Sequence, residues 1–142
     1  MITLQNVSYV RLGTGDVEEA TRFATGFLGL EISDLGGRAV HFRSDSRAHT
    51  LCYFEGDPTD QAVAFEVGDD AELEAAASEL DGLGHSVRLG TSDEAAARCV
   101  RAFIAFRDPS GNAIELVWRP EQLGNRYHGT RDAGMVAIVS LR

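Results

Sequence analysis

The chain contains no lysine, and all 13 of its basic residues are arginine. Schiff-base chemistry and a phosphate-loop lysine are therefore excluded. Cysteine is scarce: Cys52 and Cys99 lie far apart without CxxC spacing, and reduced thiols in a cytoplasmic protein are the expectation. Residues Met1 to Gln5 lack a basic segment followed by an apolar run, and no apolar stretch approaches the ~20 residues that cross a bilayer. Membrane insertion is not expected. Positive charge is also short, since 22 acidic residues against 13 basic ones give a formal charge of -9. No local basic cluster offsets it, so nucleic acid is a disfavoured partner and cationic small molecules are favoured. What remains is 142 residues, 44% apolar and 25% charged, enough for one compact domain with a real core.

The pattern along the chain alternates between two periods. Ser8 to Leu12 reads as a strand. After Gly13-Thr14-Gly15, the residues Val17, Ala20, Ala24, Phe27 and Leu28 fall on one helical face, with Asp16 and Glu19 at the start and Gly29 as the stop. Strand-like segments follow at Glu31 to Asp34, Ala39 to Arg43 and Thr50 to Glu55. The order then recurs. Ala62 to Val67 reads as a strand, Asp69 and Glu72 open a helix carrying Leu73, Ala76, Ala77 and Leu80, and Gly84 closes it. Segments Ser86 to Leu89, Val100 to Phe106 and Ala113 to Trp118 complete the second half, the last two joined by the turn Asp108 to Asn112.

Both halves thus read β-α-β-β-β. The duplication is visible in the residues, as Leu12-Gly13-Thr14-Gly15-Asp16 matches Phe65-Glu66-Val67-Gly68-Asp69 and Leu28-Gly29 matches Leu83-Gly84. The expected fold class is α+β, with two βαβββ units forming a curved mixed sheet whose concave face is the natural place for a ligand. Units are expected at about 5–56 and 60–119 within a domain over 1–119. An extension over 120–142 follows, in which Met135 to Val139 reads as a final strand needing a sheet edge, its own or a second copy's.

This chain resembles the vicinal oxygen chelate superfamily of glyoxalases, bleomycin-resistance proteins and extradiol dioxygenases. The resemblance is carried by Tyr9 to Asp16, by Phe27-Leu28-Gly29-Leu30-Glu31, by Ala62 to Asp69 and above all by Asp108 to Leu116. It is strongest to the first module of a two-module extradiol ring-cleavage dioxygenase, a module that holds no iron. The resemblance implies a small-molecule binder or scaffold, paired as a homodimer.

In that superfamily the first ligand, usually histidine, stands seven residues before the helix-opening aspartate. Here Tyr9 precedes Asp16 by that interval, and Ala62 precedes Asp69 by the same. Glu115 matches the carboxylate ligand of the final strand, and alternation places it with Ala113 and Val117. One carboxylate does not hold a divalent ion tightly, so no cofactor is expected. A divalent Fe, Mn, Ni or Zn ion would require ligands beyond Glu115. The fourth-strand position is Cys52 or Tyr53 depending on register, with Glu55 the nearest carboxylate.

Candidate ligand-binding residues are Tyr9, Arg11, His41, Tyr53, Ala64, Glu66 and Glu115. An ion pair between Arg11 and Glu66 is the alternative to a direct ligand role for those two. His41 reads as a base, a hydrogen-bond donor or an ordinary sheet histidine. His49 looks like an ordinary strand-start position, His85 ends a helix at its negative pole and His128 lies in the tail. No HxxxH or HxH spacing occurs, Ser110 has no G-x-S-x-G context, and Gly13-Thr14-Gly15 lacks the third glycine of a dinucleotide loop. Two other functions stay open. One is sequestration of a cationic drug in the manner of bleomycin-resistance proteins; the other is a metal-dependent dioxygenase or lyase using Glu115.

Overall fold

The computed structural model describes residues 2–33 and 38–122. The expected final strand at 135–139 and His128 lie outside the described residues. The chain divides into two compact units, one built on Tyr9–Gln61 and the other on Ala62–Glu121 with the residues up to Ser8.

The first unit takes its strands from β1 (Asn6–Thr14), β2 (Glu31–Ser33), β3 (Val40–Arg43) and β4 (Leu51–Glu55). They lie side by side in the order β2-β3-β4-β1, with β1 parallel to β4 and the other pairs antiparallel. Helix α1 (Val17–Arg22) starts where Asp16 accepts a hydrogen bond from the Glu19 backbone N–H at 3.0 Å. It runs into a π-helical turn at Phe23–Phe27, marked by Leu28 N–H donating five residues back to the Phe23 carbonyl at 3.1 Å. Gly29, with φ of 73°, ends it.

The wider turn corrects one expectation. A helix of regular pitch would face Phe27 inward, but the π turn adds a residue and rotates it out. Phe27 is 62% exposed and stacks on Phe23 at 5.2 Å. The core beneath this helix is Ala24, Leu30 and Phe42, packed by Leu28, Val40, Leu51 and Tyr53.

In the second unit β5 (Gln61–Val67), β8 (Ala113–Pro120), β7 (Val100–Arg107) and β6 (Arg88–Leu89) lie in that spatial order, with β5 parallel to β8. The connectivity therefore repeats: in each unit the first strand runs parallel beside the last. Helix α2 (Asp70–Gly82) opens with Asp69 accepting from the Glu72 N–H at 2.7 Å. It closes through Gly84, φ 91°, with His85 N–H donating to the Leu80 carbonyl at 3.0 Å. Its core is Val67, Leu73, Ala76, Leu80, Ile104 and Leu116.

The α+β class and both βαβββ orders hold, with one added element. A short helix α3 (Ser92–Ala97) stands between β6 and β7, started by a capping box in which Thr91 and Glu94 satisfy each other's backbone N–H groups. Among the described residues no helix is long and apolar enough to cross a membrane. Both cysteines are buried.

Candidate functional site

In each unit the strands have one face against the helix and one turned away, and register decides which side chains share the second. In the first unit Arg11 lies opposite Cys52, and Cys52 opposite His41. Laterally paired residues point the same way, and alternation adds Tyr9 to them. The open choice at the fourth strand is thereby resolved: Cys52 joins Tyr9, Arg11 and His41, whereas Tyr53 packs under α1 with Phe42 and Val40. Tyr53 thus stands away from Tyr9, Arg11 and His41, because the one-residue step flips it to the opposite face.

That face is tightly filled. Tyr9 and His41 are only 1% and 4% exposed. Tyr9 stacks on His49 at 4.7 Å between ring centroids, and His41 meets His49 edge-on at 4.8 Å. His49, expected to be ordinary, is the centre of this trio. Its only sequence signal was its place just before a strand. Arg11 donates to the Cys52 sulfur at 3.8 Å and lies over the Phe54 ring at 5.4 Å. Further along, the fully buried Arg43 is paired with Glu31 at 3.1 Å.

In the second unit Ala64 and Ala105 flank Glu115 on the neighbouring strands. Two methyl groups leave a space above the carboxylate, and Arg98 fills it. Arg98 Nε donates to Glu115 Oε1 at 2.8 Å and Nη2 to Oε2 at 3.0 Å, a two-pronged pair with Glu115 4% exposed. The guanidinium also lies 4.3 Å from the Phe103 ring centre. Helix α3 delivers this residue, since Arg98 caps its C-terminus and Cys99, with φ of 54°, turns the chain into β7. Glu66 sits half-buried on the same side as Ala64, two residues further along β5.

Glu94, on the same helix, receives hydrogen bonds from Arg88 at 2.7 Å and from the Thr91 N–H. The Arg88 hydrogen bond, followed by that of Thr91, brings its carboxyl down to about 2. At the turn before β8, Asp108 is lowered chiefly by the Asn112 side chain and its backbone N–H. That motif is structural. Gly13 likewise has a packing role: a Cβ there would collide with the carbonyl of Asp57, so the loop after β4 can approach β1 only over glycine. His85 is half-buried with its ring 6.5 Å from that of Phe106.

The positions that the resemblance marks for imidazole ligands carry none. Tyr9 and Ala62 stand seven residues before the two helix caps, the interval at which the resemblance implies an imidazole. Glu115 already has both oxygens engaged by Arg98. Among the described residues no three His, Cys, Asp or Glu side chains are grouped so as to hold a metal.

Two βαβββ units with first and last strands parallel, and a glutamate on the final strand facing away from the helix, define a vicinal-oxygen-chelate type of fold. The family model for the Glyoxalase/Bleomycin resistance protein/Dioxygenase superfamily matches residues 6–116, and the chain belongs to that superfamily. It is 26% identical over 123 residues to the 1,2-dihydroxynaphthalene dioxygenase of Sphingobium xenophagum, covering 85% of this chain and 41% of that protein. It is 31% identical over 118 residues to the biphenyl-2,3-diol 1,2-dioxygenase of Paraburkholderia xenovorans (strain LB400), covering 82% and 40% respectively. The crystal structure of a halotolerant catechol dioxygenase superposes with a TM-score of 0.82 at 25% identity, over 91% of this chain and 44% of that one. The chain therefore spans about two fifths of the length of the curated relatives it matches.

Proposed function

We propose that this chain is a dioxygenase-type module with no metal centre of its own, equivalent to the metal-free first half of a two-module extradiol dioxygenase. In this reading it binds a small aromatic molecule or serves as the scaffold of a larger assembly. The observation that carries it is the Arg98–Glu115 pair, whose two hydrogen bonds at 2.8 and 3.0 Å engage both oxygens of the one carboxylate that matches the family's ligand pattern. A guanidinium supplies the positive charge that a metal would bring, but no open coordination position and no Lewis acidity toward a substrate. The relatives are named for aromatic diols, which makes an aromatic diol the first ligand to try. The module is further proposed to pair as a homodimer, a reading supported by the exposed Phe23–Phe27 stack and the half-exposed Ile32.

Calorimetric titration with Fe(II), Mn(II), Ni(II) and Zn(II) separates this reading from a metal-dependent enzyme. No stoichiometric heat that depends on Glu115 is expected, while 3-methylcatechol or biphenyl-2,3-diol binds the metal-free protein without being cleaved. Tight binding of one ion, abolished by Glu115→Ala and accompanied by ring cleavage, would reverse the conclusion. Sedimentation should give a dimer that Phe27→Glu splits; a monomer at micromolar concentration would remove the homodimer.

A further inference from the structure

The second unit carries a groove on its helix side that the Glu115 face does not use. Helix α2 and the edge strand β6 border an opening of about 520 Å3, within the size range of small-molecule sites. Its apolar lining includes Ala77 from the helix, Val87 and Leu89 from the edge and Ile104 from β7. Leu89 is left 70% exposed at its mouth. The helical wall is polar and acidic, formed by Glu74, Ser78 and Asp81. Their spacing puts them on one helical face, with the two carboxylates about 10 Å apart along the axis.

Two independent features give the groove its sign. Asp81 lies in the last turn of α2, where no basic residue accompanies it. A carboxylate beside the negative pole of a helix is misplaced by the ordinary electrostatics of helices unless a cation joins it. The cation nearest in sequence is turned away. Leu89 lies opposite Ile104 and faces the groove, whereas Arg88 lies opposite Ala105, reaches Glu94 at 2.7 Å and sits 5.9 Å from the Phe103 ring on the other side of the sheet.

We propose that this groove is a binding site for a small hydrophobic cation: an aromatic or branched apolar body that lies on Val87, Leu89 and Ile104, with its positive charge toward Asp81 and Glu74. The site is separate from the Glu115 face and does not depend on the metal-free reading of that face.

Tetraphenylphosphonium and tetraphenylborate share a shape and carry opposite charges, which isolates the claim. Calorimetry at low salt should show one-to-one binding of the phosphonium and at least about tenfold weaker binding of the borate. The double variant Glu74→Gln/Asp81→Asn should weaken the phosphonium about tenfold, while Glu18→Gln/Glu19→Gln, which removes the same charge from α1, should change it less than about twofold. Leu89→Arg, at a position 70% exposed, should abolish binding with the circular dichroism spectrum unchanged. Equal binding of the two ions, no binding of the phosphonium, or equal loss in the two double variants would overturn the proposal.

Discussion

At corresponding places the two units solve one packing problem by different means. On the face away from α1, the first unit packs Tyr9, His49 and His41 into a stacked and edge-on aromatic trio. On the face away from α2, the second sets Ala64 and Ala105 beside Glu115 and lets Arg98 come down into the space. The strand order is the same, with the same aspartate caps and the same Leu-Gly stops. The side chains on the face away from the helix differ between the units, and so do the helices, α1 running into a π turn while α2 is a 13-residue α-helix. The same strand order thus accommodates either filling, provided that a buried charge is neutralised. In the second unit that requirement falls on α3, the element without a counterpart in the first.

The comparison breaks most visibly at Arg98. Arg98→Met leaves the Glu115 carboxylate buried without its partner and should cost about 3–5 kcal/mol in urea unfolding, with the loss centred on the second unit. The equivalent change in the first unit, Arg43→Met, should cost about 2 kcal/mol, because its partner Glu31 retains a water-facing side and can be rehydrated. Equal losses would mean that the two pairs are equally buried in solution. The caps sharpen the similarity instead of the difference. Asp16→Ala and Asp69→Ala should each cost about 1 kcal/mol, since each removes one backbone hydrogen bond at a helix start.

The smallest effect is the response to acid. Glu94 is held at about 2 against an ordinary 4.5, first by the Arg88 hydrogen bond and then by Thr91. A lowered carboxyl contributes stability above its ordinary value and loses it as the pH falls toward the folded one. Denaturation midpoints should therefore decline between pH 4.5 and about 2, and Glu94→Gln should flatten that part of the profile. An unchanged profile in the variant would show that the Arg88–Glu94 contact does not persist in solution.

Much of the frame was legible because it is written locally. Asp16 and Asp69 precede helical periodicity, Gly29 and Gly84 follow it, and Asp108 to Asn112 is a turn in its own chemistry. The face of Glu115 followed from alternation alone. Register was not legible, and so neither was the choice between Cys52 and Tyr53: the pairing that decides it joins strands far apart in the chain. Phe27 escaped because a π turn shifts the phase of a helix without leaving a compositional mark. Helix α3 did carry a signal, the Thr91-x-x-Glu94 box ahead of three alanines, though its six residues are too few for periodicity to show. The tie between Arg98 and Glu115 had none, since the pair spans 17 residues and exists only once β7 and β8 are folded together.

A double-mutant cycle on Arg98 and Glu115 tests the central claim most directly. Unfolding free energies of the wild type, Arg98→Met, Glu115→Leu and the double variant should yield a coupling of about 2–3 kcal/mol, with the apolar pair recovering most of the stability lost by Arg98→Met alone. Additive single effects would mean that the guanidinium does not hold the carboxylate, leaving Glu115 available as a ligand after all.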